Sequence, residues 1–212
     1  MSRRPSTGGR RLALGVDVAA RRGCDVVILG DDLVARPLGR VHAGEELAAR
    51  CRAIGAAVVA IDAPPGWATT GRRSCEAALS ARGISVFSTP DAGRGEANPF
   101  YDWMRTGFAM FAAVDTCPTL ETFPHAVAIA LRGERPVGSL LKRPAEKLAW
   151  RRTALARAGV DITALRTIDE VDAALCAVTG LWHLDGRTEA LGDPADGVLT
   201  LPVGLPSPRP TG

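Results

Sequence analysis

The sequence predicts an α/β fold whose mixed central sheet opens with an antiparallel meander and carries helices on both faces. Three observations predict it. Residues 12–20, Cys24–Gly30 and 33–41 are apolar runs joined by short turn segments, which is the pattern of a three-stranded meander. Residues 44–55 have apolar side chains at helical spacing and end in a glycine. Residues 56–62, AAVVAID, are apolar up to a final acid, as expected for a central strand buried on both faces.

The remaining elements are expected to belong to the same domain. Helices are predicted at residues 72–82, 98–114, 145–158 and 168–181, a strand at 120–123 stopped by Pro124, and a strand or loop at 84–89. No repeat or linker divides the sequence. We therefore expect a single domain over residues 12–203, with a flexible basic arm at 1–11 and a disordered tail at 204–212.

Composition excludes several classes of protein. Of the 212 residues, 46% are hydrophobic and 23% are charged, which is an ordinary globular composition. No apolar run reaches the roughly 18 residues of a transmembrane helix, so no membrane span is expected. Five scattered cysteines without a Cys-x-x-Cys pair argue against zinc and disulfide frameworks and favour the reducing cytoplasm. The net charge of +3 points to no particular partner. The sequence does not determine the oligomeric state, and a dimer is one possibility.

Two of the predicted strands end in an acid. Asp17 follows LALGV, and Asp62 follows VVAI. A carboxylate at the end of a buried strand is costly unless it is paired, hydrogen-bonded or metal-bound, although each aspartate alone is also explained as a turn residue. The Pro-Pro-Gly after Asp62 turns the chain away from the sheet. If the two strands are parallel neighbours, both acids lie at the sheet edge where α/β proteins bind ligands.

The late helix carries two further acids near its start. Asp169 and Asp172 lie three residues apart in TIDEVDAAL. Thr167 or Asp169 can cap this helix, and acids in the first turn also favour the helix dipole. Capping explains Asp172 less well, because it borders the apolar face beside small residues and can approach a strand end closely.

The position of Glu121 has two interpretations. It is either a solvent-facing acid of the strand at 120–123 or a fourth member of the acid cluster, with His125 nearby as a proton carrier. Carboxylates that converge on one sheet edge remain ionised together only if cations neutralise them. Hard oxygen ligands select Mg²⁺ or Mn²⁺, and two such ions about 4 Å apart can activate water for phosphodiester cleavage.

The order of these motifs resembles a known family. GVD at 15–17, IDAPPG at 61–66, ETFP at 121–124 and D-x-x-DAAL-x-A at 169–177 are similar to domain-of-unknown-function family 429. The resemblance extends over about residues 12–203. Members of that family are described as predicted nucleases of the ribonuclease H-like superfamily. The resemblance therefore implies a ribonuclease H-like α/β fold and metal-dependent cleavage of nucleic acid.

The resemblance also implies roles for the acids. In the wider superfamily the first acid ends the first strand, as Asp17 does, and the second ends the fourth strand, as Asp62 does. The late helix looks like the terminal metal-binding helix of RuvC-type Holliday-junction resolvases. The implied ligands of Mg²⁺ or Mn²⁺ are Asp17, Asp62, Asp169 and Asp172, and the implied catalytic acids are Asp17, Asp62, Glu121 and Asp172.

The sequence matches the family at one further place and departs from it at two. The family carries an Arg and an acid after Pro-Pro-Gly, and Arg73 and Glu76 stand at that place. The family often has EVHPE where this chain has ETFPH, so His125 replaces an acid. The helix acid of ribonuclease H itself has no clear counterpart, because Glu45 and Glu46 fall at the start of their helix.

Basic residues suggest where nucleic acid would bind. Residues 132–157 form the most basic stretch, and they include the only two lysines, Lys142 and Lys147. Together with Arg143 these are candidates for phosphate contacts. The alternative is a solvated helix face in an arginine-rich chain.

A second basic surface is expected near the strand ends. Arg73 is its candidate for nucleic-acid binding, and Tyr101 and Trp103 are aromatic residues that could stack on bases. The alternative is that Trp103 belongs to the core at helical spacing.

Three functions are compatible with these features. The first is a metal-dependent nuclease acting on DNA or RNA. The second is a nucleotide-binding, phosphotransferase-like protein of the same superfold, although no Gly-rich phosphate loop is present. The third is a non-catalytic nucleic-acid-binding or regulatory protein on the same scaffold.

Overall fold

A five-stranded mixed sheet forms the centre of the computed structural model, which describes residues 11–137 and 143–205. Its strands are β1 Leu12–Asp17, β2 Cys24–Gly30, β3 Arg36–Val41, β4 Val58–Ile61 and β5 Thr119–Glu121, in the order β3-β2-β1-β4-β5. The meander β1–β2–β3 is antiparallel, whereas β4 is parallel to both β1 and β5. This is the predicted α/β class, and the architecture is compatible with a ribonuclease H-like fold.

Seven helices and a hairpin complete the part of the chain that the structure describes. The helices are α1 Gly44–Ile54, α2 Ser74–Ala81, α3 Ala92–Glu96, α4 Asp102–Ala113, α5 Pro124–Arg132, α6 Pro144–Arg157 and α7 Ile168–Leu184. The hairpin pairs β6 Thr188–Asp193 with β7 Gly197–Pro202. Within the described ranges, no helix is both long and apolar enough to cross a membrane.

Alternate side chains of the sheet pack into two apolar clusters on its opposite faces. Leu14 of β1 and Val59 of β4 pack against α1 and α4. Ala13 of β1 and Val58 of β4 pack against α5, α6, α7 and the hairpin. Helices therefore cover both faces, as predicted. By the same alternation, Asp17 lies on the face that α7 covers.

Four elements were not predicted from the sequence: α3, α5 and the two strands of the hairpin. The sequence predicts that Pro124 ends a strand, but Pro124 is the first residue of α5. Proline is favoured at this position, because the backbone N–H that it lacks would have no acceptor within the helix. The hairpin β6–β7 was missed because most of β6 is not buried, so its apolar signal is weak. The segment at 84–89 is a loop, and the helix predicted at 98–114 begins as the 3₁₀ turn Pro99–Tyr101 before α4.

The predicted terminal segments fall mostly outside the described residues. Of the predicted arm at 1–11 only Arg11 is described, and it pairs with Asp31 and Asp185. Of the predicted tail at 204–212 only Gly204 and Leu205 are described.

Candidate metal centre

The carboxyl ends of three parallel strands meet at one edge of the sheet, which we call the acid edge. Asp17 ends β1, Asp62 directly follows β4, and Glu121 ends β5. The backbone N–H of Asp62 donates to the carbonyl of Val16 at 3.0 Å, which holds the two strand ends in register. The parallel pairing of β1 and β4 thus brings Asp17 and Asp62 to the same edge, as the sequence predicted.

The amino end of α7 lies at this edge. Thr167 caps α7 by accepting a hydrogen bond from the Glu170 N–H at 3.1 Å, and Glu170 accepts in return from the Thr167 N–H at 3.0 Å. This capping box starts α7 just before Asp169 and Asp172. The two acids therefore lie at the end of the helix that faces the strand ends. Asp169 is therefore not the cap, and its carboxylate is left for other partners.

Three carboxylates form the tightest group at the acid edge. One oxygen from each of Asp17, Asp25 and Asp169 lies within 4.8 Å of the others. The sequence analysis missed Asp25, which is the direct cross-strand partner of Asp17 in the β1–β2 hairpin. Two like charges directly opposite each other destabilise a hairpin, so this pair requires positive charge nearby, from arginines or from a bound cation. We call Asp17, Asp25 and Asp169 the acid trio.

Arginines partly neutralise the acid trio. Arg22, in the β1–β2 turn, hydrogen-bonds Asp169, and its Nη2 lies 3.5 Å from Oδ2 of Asp17. Arg40 donates from Nε to Oδ2 of Asp25 at 3.1 Å. The Arg22 side chain is 50% exposed, whereas the carboxylate of Asp17 is only 10% exposed.

Burial makes the strand-end acids hard to ionise. It raises the pKa of Asp17 to about 7, with repulsion from Asp169 adding to the shift and Arg22 opposing it. Burial also raises the pKa of Asp62 well above its usual range, with repulsion from Asp17 adding to it. The cations at the edge therefore do not fully compensate these two carboxylates.

Asp172 lies deeper and is paired with an arginine of α6. Its carboxylate contacts the guanidinium of Arg151, and both residues are buried. Oδ1 of Asp172 has no hydrogen-bond partner within the described residues, and neither has Nε of Arg151. An unpartnered buried carboxylate oxygen is costly and marks a place where a ligand could complete the site.

The residues at the acid edge fit a hard divalent cation. All the donors are carboxylate oxygens, the set that Mg²⁺ and Mn²⁺ prefer. Of the predicted metal ligands, Asp17 and Asp169 lie in the acid trio with Asp25. Asp62 and Asp172 line an adjoining cavity of about 280 Å³. The structure thus gathers the predicted acids at one edge but distributes them over two neighbouring positions.

Glu121 is held away from the acid trio. The hydroxyls of Thr122 and Thr179 of α7 hydrogen-bond at 3.3 Å, which turns the neighbouring Glu121 to the other side of β5. There Glu121 accepts two hydrogen bonds from Arg73, at 2.7 and 2.5 Å. Burial raises the pKa of Glu121, and Arg73 opposes that shift.

Each guanidinium nitrogen of Arg73 donates one hydrogen bond to an acid. Besides its two bonds to Glu121, it donates from Nε to Oε1 of Glu76 at 3.0 Å, and its side chain is only 4% exposed. Glu76 also accepts from the hydroxyl of Thr89 at 2.6 Å. In this arrangement Arg73 ties α2 to β5, and its contact with nucleic acid stays a prediction.

The other basic candidates are placed differently from one another. Lys147 lines the cavity beside Asp62 and Asp172, and its ammonium makes no hydrogen bond or ion pair with residues 11–137 or 143–205. Arg143 is exposed and donates to Glu146 at 2.6 Å. Lys142 lies outside the described residues.

His125 is not placed to carry a proton at neutral pH. Its ring lies between Phe123 and Trp150, at centroid distances of 5.9 and 6.0 Å. Burial lowers its pKa to about 4, and the positive charges of Arg151 and Lys147 add to that shift. The imidazole is therefore neutral near pH 7.

Comparison with known proteins assigns the chain to a family. A profile described as "Protein of unknown function (DUF429)" matches residues 15–197. The chain belongs to DUF429. No curated protein matches this DUF429 chain. No solved structure matches it either. The matched range contains every acid of the acid edge, including Asp25.

Sequence reasoning on this DUF429 chain missed three residues that contact the predicted acids. Asp25 was detectable, because a symmetrical hairpin between the first two strands pairs it with Asp17. Arg22 lies in the turn of that hairpin, only five residues after Asp17, so its proximity to the strand end was also detectable. Arg151 gave no local signal, because it meets Asp172 only through the packing of α6 on α7.

Proposed function

We propose that this protein is a divalent-metal-dependent nuclease that hydrolyses phosphodiester bonds in DNA or RNA. The observation that carries the proposal is the acid trio, with three carboxylate oxygens within 4.8 Å at the sheet edge where the parallel strands β1 and β4 end. Ligand sites in open α/β sheets lie at that edge. The metal would be Mg²⁺ or Mn²⁺ and the cellular location the cytoplasm, in keeping with five cysteines that are all free.

Each residue at the edge has a role in this proposal. Asp17, Asp25 and Asp169 would hold the metal, which would supply an activated water and a positive charge for the leaving oxygen. Asp62 and Asp172 would complete the negative site from the cavity side. Glu121 would act indirectly, because its bonds to Arg73 position the end of β5.

A specific observation supports a second candidate, a non-catalytic protein on the same scaffold. Arg22 already contacts Asp17 and Asp169, and Arg151 already contacts Asp172. Internal cations could therefore replace a metal at these carboxylates. In that case the acid edge would be a charge network that stabilises the junction of α7 with the sheet.

Metal titration and cleavage separate the two candidates. We expect Mn²⁺ to bind the wild type in calorimetry and Mg²⁺ or Mn²⁺ to support cleavage of DNA or RNA. Asp17→Asn and Asp25→Asn should each reduce cleavage by about 100-fold or more, because loss of even a residue that only supports a metal ligand typically costs about 10- to 100-fold in affinity or activity. Asp115→Asn is the matched control, since Asp115 is 76% exposed and only loosely paired with Arg52.

The outcomes are distinct. Absence of Mn²⁺ binding by a folded wild type, together with no cleavage of any nucleic acid, would rule out the nuclease and leave the charge network. Equal losses in Asp17→Asn and Asp115→Asn would show that the acid edge does not carry the activity.

A further inference from the structure

We propose that the cavities beside the acid edge bind single-stranded nucleic acid, with an unpaired base against Phe87 and a phosphate at Lys147. The inference rests on the proposed function, because it names the substrate class of the same site. It goes beyond it in excluding an intact duplex as the preferred ligand. Three features of the described residues carry it: the neighbouring cavities, an exposed aromatic pair, and two cations without sufficient partners.

Two neighbouring cavities lie beside the acid edge. The first, of about 280 Å³, contains Asp62 and Asp172. The second, of about 300 Å³, contains His125. Both are lined by Val86, Phe87, Phe123, Lys147 and Arg151, so the aromatic rings and the two cations stand where the cavities meet. A ligand that crosses this junction has its aromatic and anionic contacts within reach of the acids.

Phe87 is an unusual surface residue at this junction. It lies in the loop between α2 and α3, and 65% of it is exposed. Phe100 is 55% exposed and meets Phe87 edge to face at a centroid distance of 5.9 Å. Phe100 in turn rests against buried Tyr101 at 5.1 Å. The pair is thus supported from below and presents aromatic surface outward, as a stacking platform does.

The cations at the junction suit a phosphate. The ammonium of Lys147 has no hydrogen-bond or ion-pair partner in the described part of the chain. Arg151 is only 5% exposed, and its Nε has no partner there either. The positive charges of these two side chains would attract a phosphate placed at the junction. Acids that could hold a metal thus line the first cavity, and cations that could hold a phosphate lie where the two cavities meet.

The aromatic platform distinguishes single strands from duplexes. A base inside a duplex is already stacked on both faces, so its ring cannot lie against Phe87 unless the base is first unstacked at a cost of a few kcal/mol. A single strand offers its bases freely, and stacking on an aromatic side chain adds about 1–3 kcal/mol per base. The site therefore favours an unpaired strand, whether DNA or RNA, since every base has a stacking face.

Fluorescence anisotropy tests the inference without relying on cleavage. The probes are fluorescein-labelled oligothymidylate, oligouridylate and a DNA duplex of equal length, each titrated with the full chain in EDTA and again in Ca²⁺. Single strands are expected to bind at least about tenfold more tightly than the duplex. Phe87→Ala should weaken single-strand binding roughly 5- to 150-fold, the range that the loss of one stacked base implies.

Matched variants separate binding from folding. Phe87→Tyr should restore the affinity, because tyrosine retains a stacking face. Val203→Ala removes an apolar side chain that is 62% exposed and lines neither cavity, so it should bind as the wild type does. Lys147→Ala should lower the salt dependence of binding by about one counterion, as the loss of one phosphate contact predicts.

Each outcome decides something. Preference for the duplex, or wild-type affinity in a folded Phe87→Ala variant, would overturn the inference. So would a Phe87→Ala variant that changes only the oligomeric state, since the aromatic pair would then be a protein interface. Single-strand binding without any metal-dependent cleavage would sustain this inference while the proposed nuclease activity fails. Cleavage confined to duplexes would support the proposed nuclease activity and overturn this inference.

Discussion

Asp17 is a buried carboxylate that lies close to two other carboxylates. It is 7% exposed, stands directly across from Asp25 in the hairpin, and lies close to Asp169. Arg22 is near enough to help, but its Nη2 lies 3.5 Å from Asp17 and its stronger contact is with Asp169. Burial and repulsion therefore prevail, and the pKa of Asp17 rises to about 7.

This raised pKa predicts how the stability of the metal-free protein depends on pH. The folded-state pKa of about 7 exceeds the ordinary value of 3.8, so the folded protein keeps a proton that the unfolded chain releases. The free energy of unfolding should therefore fall as pH rises from about 4 to about 7. Asp62 shifts in the same direction and adds to the slope. Above about pH 7, Asp17→Asn should be more stable than the wild type by about 4 kcal/mol, because a pKa raised from 3.8 to about 7 corresponds to a free-energy difference of that size.

Urea denaturation in EDTA measures this effect. At about pH 4 the wild type and Asp17→Asn should have similar stability, because the wild-type carboxyl is then protonated in most folded molecules. The gap should open towards about pH 8. A gap that stays constant with pH would contradict the assigned cause, since a packing effect of asparagine does not titrate. Asp115→Asn, at an exposed site, should track the wild type throughout.

At the scale of elements, the contact of α7 with β1 sets the geometry of the acid edge. Gly15 of β1 has no side chain, and the backbone of α7 lies directly on it. A Cβ built on Gly15 would overlap the carbonyl oxygen of Ala173 and the backbone nitrogen of Ala177. This close approach brings Asp169, on the first turn of α7, to Asp17. Any residue but glycine would push the helix and its acids away from the strand.

Gly15→Ala is therefore expected to be strongly destabilising. The added methyl group meets backbone atoms, which cannot move without shifting α7, and we expect a loss of about 3 kcal/mol in the free energy of unfolding. Mn²⁺ affinity should fall as well, because Asp169 moves with the helix. Urea denaturation and calorimetry measure the two effects.

Gly66→Ala is the control for this prediction. A Cβ at Gly66 meets no atom within 4 Å, and Gly66 is not among the glycines with positive φ. Its stability should stay within about 0.5 kcal/mol of the wild type. If Gly15→Ala were equally neutral, α7 would not be seated on β1 as described.

At the scale of the whole molecule, one sheet joins two apolar clusters. β1 and β4 each supply side chains to both clusters, with Leu14 and Val59 on one face and Ala13 and Val58 on the other. Neither cluster can lose its strands without exposing the other. The two faces should consequently unfold together.

Tryptophan fluorescence tests this cooperativity. Trp150 packs in the cluster on the α7 face, and Trp103 packs against the cluster on the α1–α4 face. Variants that retain only one of these two tryptophans, the others being replaced by phenylalanine, should unfold with the same urea dependence, and each should coincide with its own far-ultraviolet circular dichroism. Transitions that differ between the two probes of one variant would mean that the faces unfold separately.

The sequence alone determined those features that depend on neighbouring residues. The apolar runs that end at Asp17 and Asp62 predict strands with terminal acids, since period and residue type are local properties. The capping residues before Asp169 and Asp172 likewise predict where α7 starts. With the meander and the buried strand, these signals were enough for the mixed α/β fold and for most of the acid edge.

Only the tertiary structure decided how each charge is compensated. Asp25 joins Asp17 through strand register, Arg151 reaches Asp172 through helix packing, and Arg73 draws Glu121 into an ion pair. The two arginines lie far from their acids along the chain, and no local pattern specifies either contact. Which elements carry acids is thus a property of short segments. Which of those acids remain available to a metal depends on long-range packing, because only packing brings an arginine to a buried carboxylate.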